Sequence, residues 1–219
     1  DNMAKGPAMS REEAVKAIEV GIGMVADLKE KGYNVLATGE MGIGNTTTSS
    51  AVCSVLLDQS VEKVTGKGAG LTNKDLEHKI EVIRQSIALN KVNADDPLDV
   101  LAKVGGLDIA GMAGCYIGGA ALNIPVFIDG FISSVAALIA IRLVPECAPY
   151  LFPSHCSNEP AGRMILDAIG KQPYIFANMC LGEGTGAVMG FTIADYAFKA
   201  YWELPSFEQT NFGTYEELN

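Results

Sequence analysis

The chain has 219 residues, of which 48% are hydrophobic and 19% charged, a balance that fits one sizeable α/β domain, at most with a small appendage, and excludes a disordered chain. A formal net charge of −10 argues against a nucleic-acid partner, and five scattered cysteines with two histidines offer neither a CxxC pair nor zinc-ligand spacing, so no metal and no cofactor is expected. The longest apolar run, 132–143, carries two serines and is too short for a bilayer, and no signal peptide is visible, so a cytoplasmic protein with reduced thiols and no membrane partner is expected.

Ser10 and Glu13 form a capping box, and the helix they open runs to about Lys31 with Ala14, Ile18, Ile22, Val25 and Leu28 on one face. Gly32 stops it. A short strand over 34–38 leads into the loop Thr38-Gly39-Glu40-Met41-Gly42-Ile43-Gly44, and a helix follows over 46–57. A second glycine cluster, 65–70, precedes a helix capped by Asn73 and reaching about Lys91. Asp96-Pro97 begins another helix, Gly105-Gly106 ends it, and 107–122 reads as a wholly buried helix of small residues. A strand over 125–130 ends in Asp129-Gly130 and gives way to a buried helix, 131–144. After a looser region containing 154–160 come a helix over 160–169 and a last strand over 174–181. That strand ends in Leu181-Gly182-Glu183-Gly184-Thr185-Gly186, and a final helix runs to about Trp202. The domain is drawn at 1–204, and the remainder, 205–219, is a tail without periodicity.

Short apolar strands alternating with helices predict a parallel sheet flanked by helices on both faces, a Rossmann-like three-layer α/β fold. Ligands of such folds bind beyond the carboxyl ends of the strands. Three strands run at once into Gly-Glu, Asp-Gly or Gly-Glu-Gly, which predicts that Glu40, Asp129 and Glu183 project into one crevice.

The 38–48 loop lets the backbone approach a ligand and presents the start of a helix to an anion, yet it holds an acid, Glu40. Its glycines also serve a plain strand-to-helix turn. It lacks the Lys-Ser/Thr ending of a Walker A sequence, so an ATPase reading is poor. On spacing alone Lys79 reads as a solvated lysine, His155 as a structural histidine, and Asp129 as either a site residue or a helix cap. Glu183, between glycines, reads as a partly desolvated general base, or as an anion that merely complements a helix dipole.

Together, Gly39-Glu40-Met41-Gly42-Ile43-Gly44-Asn45-Thr46-Thr47 and Leu181-Gly182-Glu183-Gly184-Thr185-Gly186-Ala187 resemble the two signature loops of the nicotinate-nucleotide–dimethylbenzimidazole phosphoribosyltransferase family. The stretches 66–71, 105–114 and 126–131, with Lys79, Ser154, His155, Ser157, Glu159 and Pro160, extend the resemblance over 8–203. It implies transfer of ribose 5-phosphate from nicotinate mononucleotide to 5,6-dimethylbenzimidazole or a related base, giving α-ribazole 5′-phosphate and nicotinate, by a homodimer. By resemblance Glu183 is the base and Glu40 the second carboxylate of the site. Substrate contacts are implied for Gly42, Gly44, Asn45, Thr46, Gly68, Lys79, Asp129, Gly130, Ser157, Gly182 and Gly184, with Asp129 orienting Lys79 or the sugar. Nicotinate leaves from a cationic pyridinium, so no metal is needed; a positioned nucleophile, a base and anions near an oxocarbenium-like carbon suffice.

The opening residues, 1–9, resemble an interior part of the family's sequence, so part of a small N-terminal subdomain on the base-binding side is expected to be absent and transferase activity weakened or lost. The alternative of another class is a nucleotide- or base-binding module of the same fold without catalysis. A phosphatase or kinase-like reading is poorer, for want of a P-loop lysine and a metal-carboxylate cluster.

Overall fold

Three short parallel strands carry the site. In the computed structural model, which describes residues 1–210, β1 (Leu36–Ala37), β2 (Val126–Ile128) and β3 (Leu151–Pro153) lie in the order β1-β2-β3. Leu36 pairs with Val126 and Val126 with Leu151, so all three chains leave the sheet on one side. Around them run α1 (Arg11–Glu30), α2 (Asn45–Leu56), α3 (Val61–Val64), α4 (Asn73–Asn90), α5 (Pro97–Val104), α6 (Leu107–Ala121), α7 (Phe131–Leu143), α8 (Gly162–Ala168) and α9 (Thr185–Glu203). Short 3-10 turns occupy Pro145–Tyr150 and Phe207–Gln209, and the rest of the tail, 211–219, lies outside the described residues.

β2 is buried at every position, and its alternation separates the two faces of the sheet. Val126 and Ile128 join the main core. Phe127 points the other way, stacking on Phe152 at 5.7 Å and meeting Phe191 of α9 edge-on at 5.0 Å. Helices therefore cover both faces, as the alternation of elements predicts.

The small residues of α6 have a packing cause. α1 and α6 approach so closely at Gly21 and Gly114 that a Cβ at Gly114 would overlap the Ile18 carbonyl oxygen. The helix is nonetheless not wholly buried, since Leu107 at its start is exposed. α7 is buried continuously from Phe131 to Ala140. No helix among the described residues is long and apolar enough to cross a membrane.

Three local expectations need correction. α4 is capped by Thr72, whose hydroxyl accepts the Asp75 N–H at 3.2 Å, and Asn73 is already helical. The sheet's third strand is β3, within the stretch read as loose; three residues ending in proline give no periodic signal. Among the described residues the segment 174–181 forms no strand but a single bridge, Ile175 to His155, and a bond from the Asn158 N–H to the Met179 carbonyl at 2.9 Å, with Asn178 turning the chain at φ +51°.

Candidate active site

The first signature loop is anchored where it leaves β1. The Thr38 N–H donates to the Phe127 carbonyl at 3.0 Å. Its buried hydroxyl meets the Tyr116 hydroxyl at 2.6 Å, and Tyr116 in turn donates to the Ser133 carbonyl at 3.1 Å. Each hydroxyl also has a carbonyl acceptor, Ser133 for Tyr116 and Phe127 at 3.4 Å for Thr38, so either can donate in the contact they share. Burial drives the Tyr116 pKa far above that of a free phenol, and it remains a neutral post.

Beyond Thr38 the chain turns through Gly42 and Gly44 at φ +78° and +84°, and Gly44 opens α2 with no side-chain cap. This conformation suits glycine and leaves N–H groups at the helix start unfilled. Glu40 folds back over the turn: its Oε2 accepts the Gly42 N–H at 2.5 Å and the side-chain amide of Asn45. The Asn45 amide also donates to Asp108 Oδ2 at 2.8 Å, so two carboxylates orient one amide, and its Oδ1 is buried without a partner. Glu40 Oε1 faces the other signature loop, about where a Cβ on Gly182 would stand 4.0 Å away.

The two loops are latched together. The Glu183 N–H donates to the Glu40 carbonyl at 2.9 Å, and a Cβ on Gly39 would overlap the backbone of Gly184. Asp129, only 2% exposed, holds the second loop from beneath. Its carboxylate accepts N–H groups from Gly184 at 3.0 Å, Gly186 at 2.8 Å and Ala187 at 3.2 Å. Its oxygens thus serve the loop and the start of α9, and among the described residues no hydrogen bond joins Asp129 to Lys79.

Residues 182–184 run through φ +78°, +58° and +77°, an unusual conformation for the non-glycine Glu183. Here the expected convergence of three acids needs correction. Glu40 and Asp129 line a common cavity, whereas the Glu183 side chain is exposed and open to solvent. The chain reaches Glu183 through a left-handed turn instead of a strand end, and that turn sends the side chain to the open side.

Lys79 is no solvated lysine. It is 7% exposed, and its ammonium donates to Thr46 Oγ1 at 2.8 Å and to the Gly66 carbonyl at 3.1 Å. Burial lowers its pKa, and the Glu159 carboxylate opposes that shift. Gly68, at φ +54°, brings the second glycine cluster against Thr46. Ser157 is buried and accepts the Glu159 N–H at 3.3 Å. His155, 3% exposed, shares a 3.0 Å hydrogen bond between Nδ1 and Ser154 Oγ. Burial lowers its pKa, with Asp129 pulling the other way.

The cavity beyond the strand ends encloses about 100 Å³. Of the residues expected from the sequence, Glu40, Gly42, Thr46, Gly68, Asp129, Gly130, Ser157 and Gly182 line it. Lys79 stands behind Thr46, while Gly44, Asn45, Glu183 and Gly184 lie outside the lining. His155, read from the sequence as structural, also lines it, as do Glu159, Ser133 and Cys180, which were assigned no role. Asp108 was likewise unassigned; its place in the 105–114 stretch, which carries part of the family resemblance, was the available signal. Small-molecule sites usually offer about 300–1,000 Å³, so this cavity is small for one.

A phosphoribosyltransferase family model matches residues 1–212. The nicotinate-nucleotide–dimethylbenzimidazole phosphoribosyltransferase of Ruminiclostridium cellulolyticum is 54% identical over 99% of the chain, and that of Acetivibrio thermocellus 52% over 98%. The chain spans 62% and 61% of those two proteins. The crystal structure of CobT from Thermus thermophilus superimposes with a TM-score of 0.89 at 35% identity, over 95% of this chain and 62% of that one. With half of all positions shared over nearly its whole length and the same fold beneath them, the chain belongs to the nicotinate-nucleotide–dimethylbenzimidazole phosphoribosyltransferase family.

Proposed function

We propose that the chain carries the nucleotide-binding side of an enzyme that transfers ribose 5-phosphate from nicotinate mononucleotide to 5,6-dimethylbenzimidazole or a related base, forming α-ribazole 5′-phosphate and nicotinate for cobalamin biosynthesis. The observation that carries this reading is the latch between the two glutamate loops, the 2.9 Å bond from the Glu183 N–H to the Glu40 carbonyl, beside a buried lysine. The corner formed by Lys79, Thr46 and Gly68 takes the phosphate arm. Glu40, tied through Oε2 and open at Oε1, stabilises positive charge developing at the anomeric carbon. Glu183 takes the azole proton, the other azole nitrogen attacks the anomeric carbon from the opposite face, and the ribosyl C–N electron pair departs with the pyridine nitrogen of nicotinate. Gly130 and Ser157 shape the nucleotide wall.

Calorimetry with nicotinate mononucleotide, followed by an assay for nicotinate released in the presence of dimethylbenzimidazole, tests the reading. Binding is expected, with release at a weakened rate; absence of binding refutes it. The exposure of Glu183 favours a second reading, a module that binds nucleotide without transfer, for which binding without release is the signature. We also infer a cytoplasmic homodimer: all five cysteines are free, and α9 presents Tyr196, Phe198, Tyr201 and Trp202 at its surface. Equilibrium sedimentation at 23.1 kDa would refute the dimer.

A further inference from the structure

Glu159 is the acid of the cavity wall to which the proposed transfer gives no task. Its carboxylate packs directly on Gly66, where any Cβ would overlap Oε2, and the carbonyl of the same glycine accepts the Lys79 ammonium at 3.1 Å. Ammonium and carboxylate thus flank one residue, and among the described residues no direct ion pair or hydrogen bond joins them. Lys79 spends two of its three N–H groups on neutral oxygens, and the third remains for an anion beside Gly68, where a Cβ would stand 3.7 Å from Nζ.

Other charges do not replace this pair. Glu40 and Asp129 line the same cavity but are held by the loop backbone, and His155 is bonded to Ser154. Lys67 and His78 are exposed, and Arg163 at the start of α8 is paired with Asp167. A dianion entering the corner therefore adds negative charge beside one partly buried carboxylate.

We propose that Glu159 is a positioning residue whose carboxylate favours the Lys79 ammonium in the unliganded protein and takes up a proton when an anion occupies the Lys79–Thr46–Gly68 corner, so that binding of a phosphate-bearing ligand is coupled to proton uptake. This rests on the reading of that corner as the phosphate subsite. No covalent bond changes; the proton comes from buffer and resides on the Glu159 carboxylate. The environment is consistent: burial already raises the Glu159 pKa, with Lys79 opposing, and burial lowers that of Lys79.

Sulfate is the probe, because it remains a dianion at neutral and mildly acidic pH and carries no proton to confuse the count. Calorimetry of sulfate binding to the 219-residue chain, in two buffers of different ionisation enthalpy, reads proton uptake directly. The association constant is expected to rise as pH falls, by up to about tenfold per pH unit for one proton. Glu159→Gln is expected to bind sulfate more tightly above neutrality and to lose most of that slope, while Lys79→Met abolishes binding. An unchanged slope in Glu159→Gln, which would move the proton to His155 or Lys79, overturns the proposal. So does sulfate binding to the unaltered chain without uptake, a result that stands even if the variant fails to fold. The readout needs no group transfer, so absence of nicotinate release refutes the proposed activity and leaves this coupling intact.

Discussion

Replacing Asp129 by Asn isolates the bond on which the position of Glu183 depends. The carboxylate accepts three N–H groups, and the two from Gly186 and Ala187 share Oδ1. An asparagine oxygen can retain those two, but its NH2 group then occupies the place of Oδ2 and confronts the Gly184 N–H, donor against donor. One charge-assisted bond is lost and a donor is left unmet, which costs about 2–3 kcal/mol. Removing an anion from the start of α9 adds about 0.3–1 kcal/mol. A loss of about 3 kcal/mol is a large part of a typical domain stability of about 5–15 kcal/mol yet leaves the protein folded. Urea unfolding reads this as a lower midpoint at unchanged slope. Because Gly184 adjoins Glu183, and the Glu183 N–H is bonded to Glu40, nicotinate release should also fall about 100-fold, as for a misplaced catalytic group. A destabilisation below about 0.5 kcal/mol would show that the carboxylate does not hold the loop, and with it the account of how Glu183 is placed would fail.

Glu183→Gln is expected to reduce turnover by about 10²–10⁴-fold with nicotinate mononucleotide affinity nearly unchanged; an unaltered rate would move the base to Glu40. His155 has its pKa held below the ordinary 6.5 by burial, so its contribution to stability is complete above about pH 6.5 and is lost as pH falls through the folded value. The fall in unfolding midpoint from about pH 6.5 to 5 should therefore be shallower in His155→Gln, and parallel curves would refute this. Cys180, exposed and lining the cavity, should react first with an aromatic disulfide and be slowed by nicotinate mononucleotide. Cys53, whose thiol burial pushes up to about 12, should stay silent until unfolding, and equal rates for both would contradict the packing.

What the sequence discloses and what it hides follow from the range of the forces involved. The capping box at Ser10, the proline at the start of α5 and the buried run of α7 act within a few residues and are readable in place. β3 and the 174–181 segment are not, because whether such a stretch joins the sheet is decided by pairing with residues distant in sequence, Val126–Ile128 for β3 and His155 for Ile175. Lys79 shows the same limit. Nothing near it in sequence marks it as buried; its environment is made by Thr46, 33 residues earlier, and Gly66, 13 residues earlier. Glycine loops with acids in them could be recognised as chemistry-bearing, but the bond from Asp129 to Gly184 spans 55 residues and leaves no local pattern.

The two glutamates are consequently unequal in a way their similar loops conceal. Glu40 has one carboxylate oxygen occupied by Gly42 and Asn45, with Asn45 itself held by Asp108. A carboxylate fixed this way is preorganised to meet positive charge and does not reorganise as that charge develops. Glu183 has a fixed backbone, tied to Glu40 through its N–H and to Asp129 through Gly184, and an exposed side chain. In the proposed transfer this difference assigns the fixed acid to the charge at the ribosyl carbon and the exposed one to the azole proton. Among the described residues Asp129 bonds to neither carboxylate, and it acts on the second loop through the N–H groups of Gly184, Gly186 and Ala187.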